Sequence, residues 1–287
     1  MEYVIKNSKI TAVISSNGAE LRQLFDQNNK NRMHKPSPQT WNRVSPILFP
    51  FISRIKGGKY CVDGNYYEMP AHGFFRNMDI TPCFQSEDAI SFKITHSKET
   101  LSIYPYFFEF SVCYQLVDNK LNASFCVKNK GENEMLFMLG GHPGFNISED
   151  EGEFEDYYLK FEQKENVKAM QVVDGFLANE FKQYLSEENI IPLKHELFIP
   201  DAIVLKDLKS KYVDILSNKN DSCIRFHFSD FNILAIWSLN DKNANFVCLE
   251  PWNGIQKEFV LDHKKMGVLN VGPNESKKYT YSIEIIK

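Results

Sequence analysis

The chain has 287 residues, 43% of them hydrophobic and 14% aromatic, which provides for a substantial core and excludes a disordered chain. Its net charge of -4 and dispersed Lys and Arg residues argue against nucleic acid and anionic membranes as partners. No apolar run approaches the ~18 residues of a membrane span, and the opening MEYVIKNSKI is too polar for a signal peptide, so a cytoplasmic location is expected.

Along the chain, QNNKNRMHKPSPQT (27 to 40) reads as an exposed loop. FPFISRIKGGKY (49 to 60) sets Arg54 ahead of a Gly57-Gly58 turn, and PAHGFFRN (70 to 77) places His72 before a glycine and Arg76 shortly after. AISFKITHS (89 to 97) and LNASFCVKN (121 to 129) alternate apolar and polar residues with the period of two that marks a strand. DNK (118 to 120) and NKGEN (129 to 133) are turn-formers between such runs. MLGGHPGFNIS (138 to 148) then holds His142 between glycines and a proline, which predicts a stiff turn at a strand end, with glycine supplying unusual backbone angles. SEDEGEFED (148 to 156) is an acidic loop next to it, a rim or a solvated surface.

NEFKQYLSEEN (179 to 189) has the best helical rhythm in the chain and predicts a short surface helix. FIPDAIVL (198 to 205) starts a strand with Asp201 beside a proline, and SNKND (217 to 221) is another turn. CIRFHFSD (223 to 230) and KYTYSIEI (278 to 285) alternate again, while VCLEPWNGI (247 to 255) places Glu250 between an apolar strand and a Pro-Trp pair. The pattern is all-β and antiparallel, with two large sheets or a barrel formed by one domain over residues 1–287. Six cysteines without a CxxC, mostly in strand-like runs, read as buried thiols in a reducing compartment.

Taken singly, each candidate has an ordinary account. Glu250 could be a solvated strand end, Asp201 a loop terminator, Arg54 and Arg76 surface charges, and the two histidines satisfied turn residues. Trp41 and Trp252 read as core packing. A cupin-like metal site would need HxH with a nearby carboxylate, and none of the seven histidines has that setting.

Together, SRIKGGKY, PAHGFFR, MLGGHPGFN, IPDAIVL and VCLEPWNG resemble, in their order, the aldose 1-epimerase or galactose mutarotase-like family, from about Trp41 to the last strand. Within it the chain looks most like the LacX-related branch. The resemblance implies a β supersandwich with a sugar groove on a sheet, and neither a cofactor nor a metal. It implies Glu250 as general base, His142 as general acid, and Arg54, His72 and Asp201 as residues that bind the sugar.

Two positions depart from the galactose mutarotase pattern: Ser53 precedes Arg54, and His72-Gly73 is followed by Phe74. The HGFxR form, with Arg76, also resembles hexose-6-phosphate 1-epimerases. The expected partner is therefore an aldose or a phosphorylated aldose. A carbohydrate-binding protein without turnover is the reading from another class. Oligomeric state leaves no sequence signal, with a homodimer among the options. Ordinary pKa values of about 4.3 and 6.5 would leave Glu250 anionic and let a nearby carboxylate hold His142 protonated.

Overall fold

A computed structural model describes residues 1–147, 152–173, 176–255 and 268–286. Every paired strand in it is antiparallel, and fifteen join one continuous hydrogen-bonded sheet. That sheet runs from Ile47–Leu48 through Leu139–Gly141, Phe246–Asn253, Ile233–Trp237, Ile203–Lys206 and Tyr157–Val173. It continues through Tyr212–Ser217, Cys223–His227, Ser276–Ile285, Lys120–Asn129, Phe108–Val117 and Ala89–Thr95 to Pro82–Gln85.

A twisted sheet of this width cannot stay open. It doubles over, so that residues from distant parts of the path meet. Phe49, just past the first strand, stacks on Phe110 near the other end with ring centroids 4.1 Å apart. Phe145 likewise meets Phe226 at 5.8 Å. One apolar cluster fills the space between the layers and draws on residues from Ile5 to Ile285. The expected pair of sheets is therefore one sheet folded on itself.

Position in the sheet accounts for the sequence rhythm. Lys120–Asn129 is paired on both sides and alternates buried with half-buried residues, as its sequence predicts. Phe246–Asn253 is buried at every residue, which explains its near-continuous apolar run and the burial of Glu250 within it.

The GGHPG segment forms a bend between Leu139–Gly141 and Gly144–Asn146, both paired with Phe246–Asn253. Its glycines are not there for unusual backbone angles, because none of Gly140, Gly141 and Gly144 has a positive φ. They make room for aromatic rings. A Cβ on Gly140 would lie 2.7 Å from the Trp252 ring, one on Gly141 2.8 Å from Tyr281, and one on Gly144 2.8 Å from Trp41.

Three other expectations change. Phe176–Pro192 is a strand rather than a helix over 179–189, paired along its length with Tyr157–Val173 in a hairpin with several register shifts. Leu185 and Ile191 point inward, and its polar residues reflect an edge strand with one neighbour. The 27–40 segment is not wholly exposed: Arg32, Met33 and His34 are buried. There Met33 bridges to Phe145, and the His34 N–H donates to Gly144 O at 2.8 Å, so the segment braces the histidine bend. Of the six cysteines, only Cys223 and Cys248 are buried, and Cys83 is exposed. Of the acidic segment, residues 148–151 lie outside the described residues; in the remainder, Phe154 stacks on His195 with centroids 4.1 Å apart.

Gly141→Ala tests the packing role of these glycines. Its methyl must displace Tyr281 inside the core, and overpacking of this kind costs about 1–3 kcal/mol. Urea denaturation should show that loss.

Candidate active site

A cavity of about 400 Å³ brings together all six residues singled out from the sequence: Arg54, His72, Arg76, His142, Asp201 and Glu250. The Phe246–Asn253 strand supplies Glu250, and the adjoining glycine bend supplies His142. The His142 Nε2 atom lies 3.2 Å from Glu250 Oε1, with both side chains nearly withdrawn from solvent. Three tryptophans, Trp41, Trp237 and Trp252, complete much of the apolar wall, together with Val172 and Leu177 from the long hairpin.

His72 and Ser53 hold each other in place. The His72 N–H donates to Ser53 O at 2.9 Å, and the Ser53 N–H donates to His72 Nδ1 at 3.2 Å. Since Nδ1 accepts, the neutral ring carries its proton on Nε2. Both residues have positive φ, near 63°, a conformation L residues rarely adopt outside constrained sites. Gly73 must follow, because a Cβ there would lie 2.1 Å from Phe49 O.

Arg76 is set from the N-terminal side of the chain. The buried Glu20 carboxylate accepts from the Val44 and Ser45 N–H groups at 2.7 and 3.0 Å, and Arg43 lies 3.8 Å from it. Arg43 in turn donates to Arg76 O at 2.9 Å and to Asn77 at 2.6 Å. Gly18, at φ 67°, passes so close to the Arg76 backbone that a Cβ would sit 2.7 Å from its carbonyl oxygen.

Burial sets the electrostatics. It pushes the Glu250 carboxyl well above the usual range, Asp201 adds to the rise, and the nearby Trp252 indole opposes it. It pushes His142 well below the usual imidazole value, with His72 and Arg76 lowering it further. His72 is pushed down to about 3 by burial and then by Arg76 and Arg54. The ordinary expectation of an anionic glutamate beside a cationic histidine is thus corrected: in this dry wall both groups are driven toward their neutral forms. Together they still hold one proton to give and one place to receive one.

The cavity walls also contain unmet hydrogen-bonding capacity. Arg76 Nε, His142 Nδ1, Glu250 Oε2 and Trp252 Nε1 are buried and have no hydrogen-bond partner among the described residues. Each such atom costs about 1–3 kcal/mol, and all four belong to residues that line this one cavity. Among the described residues no group of three or more His, Cys, Asp or Glu side chains could hold a metal ion. No helix there is long and apolar enough to cross a membrane.

Sequence reasoning missed the tryptophans. Trp41 stacks on His142 with ring centroids 4.8 Å apart, and Trp237 meets the same imidazole edge-on at 5.6 Å. His34 lies behind, its Nε2 3.0 Å from Trp41 O and its ring 5.4 Å from the indole. A tryptophan signals buried surface in either role, and only the fold shows which side of it faces a cavity.

The family model described as aldose 1-epimerase matches residues 1–284. The chain belongs to the aldose 1-epimerase family. It is 30% identical over 300 residues to the chromosomal LacX protein of Lactococcus lactis subsp. lactis, with all of both chains covered. Its fold resembles a galactose mutarotase related enzyme from Lactobacillus acidophilus, with a TM-score of 0.92 and 30% identity over 100% of this chain and 98% of the other. A galactose mutarotase-like protein from Lactobacillus casei is similar to the same degree, with a TM-score of 0.92, 29% identity, and coverage of 99% and 100%. These neighbours identify this epimerase-family fold as galactose mutarotase-like.

The state of His72 has a measurable consequence. The unfolded imidazole takes its proton near 6.5 and the folded one only near 3, so the unfolded chain binds more protons between these values. The stability His72 contributes is therefore complete above pH 6.5 and is lost as pH falls toward 3. In NMR titration its ring signals should stay flat from about pH 5 to 8, where an ordinary histidine titrates. Urea unfolding should decline less steeply with acidification in His72→Gln than in the parent.

Proposed function

We propose that the protein interconverts the α and β anomers of an aldose, with the whole chain serving as one catalytic domain. The four unpartnered polar atoms around the cavity carry this reading, because donors and an acceptor are gathered beside a buried acid–base pair. A sugar offers hydroxyls to satisfy them and C–H faces to cover the tryptophans.

Glu250 takes the proton from the C1 hydroxyl, and His142 delivers one to the ring oxygen. The C1–O5 bond opens, rotation about C1–C2 turns the carbonyl, and reclosure with the reverse transfers gives the other anomer. The 3.2 Å separation puts both groups in reach of two adjacent sugar oxygens. Burial favours the neutral forms of both groups, and sugar hydroxyls supply the polar contacts that the charged forms require.

His72 donates from Nε2 toward the sugar, and Arg54 and Asp201 orient it. The stack of Trp41 on His142 limits how far the imidazole turns and shields it from water.

Arg54 and Arg76 favour a second reading of the substrate. Both line the cavity, and neither forms an ion pair among the described residues. An anionic substituent such as a sugar phosphate would meet two guanidinium groups, which suit phosphate geometry.

The test follows freshly dissolved α-D-galactose, α-D-glucose and α-D-glucose 6-phosphate toward anomeric equilibrium by NMR. Acceleration of the first two supports a free aldose, and acceleration of the third alone supports the phosphorylated class. Sugar binding with no rate above buffer would overturn the enzyme reading. Glu250→Gln should lower the rate by on the order of 10²- to 10⁴-fold with the fold intact, and His142→Asn should lower kcat more than it changes KM.

A further inference from the structure

We propose that Trp252 is a positioning residue whose indole N–H holds the Glu250 carboxylate in the orientation that accepts the sugar proton. This rests on the role given to Glu250 above. Trp252 was expected from its sequence to be core packing, and its ring is indeed 96% withdrawn from solvent, with 4% exposure. What core packing leaves unexplained is its polar edge. The Nε1–H is buried without a partner, and a buried indole N–H ordinarily finds one.

The placement of that N–H is specific. Glu250 and Trp252 are two residues apart on one strand, so their side chains leave the same face, and both line the catalytic cavity. Glu250 has a matching deficit: Oε1 faces His142 at 3.2 Å, while Oε2 is buried and unpartnered. The indole opposes the rise that burial imposes on the carboxyl, although Nε1 and Oε2 do not meet hydrogen-bond geometry. A donor and an acceptor, each unpaired in the same wall, complete each other when the carboxylate carries its charge.

The backbone is arranged for this ring. Trp252 is paired with Gly140 on one side and Ile233 on the other, and the bare Gly140 backbone lets the indole close over it. One of the glycines before His142 therefore serves the base as well as the acid. The other ionisable groups around Glu250 are the buried Cys248 thiol two residues before it on the same strand, His142 from the glycine bend, Asp201 after its proline, and His72, Arg54 and Arg76 from the two cavity loops. Among these groups, the two arginines apart, Trp252 contributes a donor that never loses its proton.

With only three tryptophans in the chain, the indole N–H region of a ¹⁵N-labelled sample holds three resonances. The Trp252 signal is assigned by its loss in Trp252→Phe or, should that variant not fold, by elimination with Trp41→Phe and Trp237→Phe. It should shift with pH in the parent protein and stay flat in Glu250→Gln. A Trp252 signal that does not follow Glu250 would overturn the proposal.

In the epimerase assay, Trp252→Phe keeps most of the ring and removes the N–H. The acid limb of its kcat/KM profile should move up by roughly one pH unit, the size of one hydrogen bond to a charged group, with KM little changed. An unmoved limb would count against the role even if the rate fell. Absence of turnover in the parent protein would instead remove the proposed function, and the indole titration would still decide whether Trp252 contacts Glu250.

Discussion

Close approach of aromatic rings to bare backbone is the constraint on which the site depends. Trp252, Tyr281 and Trp41 each occupy the space where one of three glycines has no side chain, and these glycines flank His142 on both sides. The imidazole is thereby located by rings from three remote parts of the chain. Because one of those rings also belongs to the strand that carries Glu250, packing supports the 3.2 Å contact between His142 and Glu250. Interiors packed to crystal density resist small displacements, which is what proton transfer over a fixed distance requires.

The same burial creates the chemical tension of the site. A carboxyl raised by desolvation is a stronger base once ionised, and an imidazole lowered by it is a stronger acid once protonated. The walls do not relieve this, since polar atoms on four lining residues have no hydrogen-bond partner among the described residues. His72 behaves differently: its proton is fixed on one nitrogen by Ser53, and it stays neutral wherever the protein is folded at ordinary pH. One histidine thus has its tautomer fixed by a backbone N–H, while the Nδ1 of the other has no partner among the described residues.

Much of this was legible in the sequence, for physical reasons that differ by element. Lys120–Asn129 declares itself through strict alternation because it lies inside a sheet with one face buried. The Phe176–Pro192 strand does not, because an edge strand in a bulged hairpin need not bury every second residue, and its polar run imitates a surface helix. All six chemistry-bearing residues meet in one cavity: turn-formers and prolines mark the loops and turns that carry five of them, whereas Glu250 lies inside its strand, which continues through Pro251 to Asn253. The reason for the glycines was hidden, because a residue chosen for absent volume and one chosen for backbone freedom are spelled the same way. Protonation was hidden too, since burial by remote segments decides it.

Val172 and Leu177 reach the cavity from a hairpin whose second strand, among the described residues, pairs with the first alone. Near its base that hairpin joins Tyr212–Ser217, and farther out its first strand touches Ile203–Lys206 at only two paired residues. Glu250 stands in a strand that is buried at every residue, with His142 on the bend beside it. Divergence within such a protein is therefore unevenly permitted: the hairpin side of the cavity can lengthen, shorten or change its side chains while the strand that carries Glu250 keeps its register.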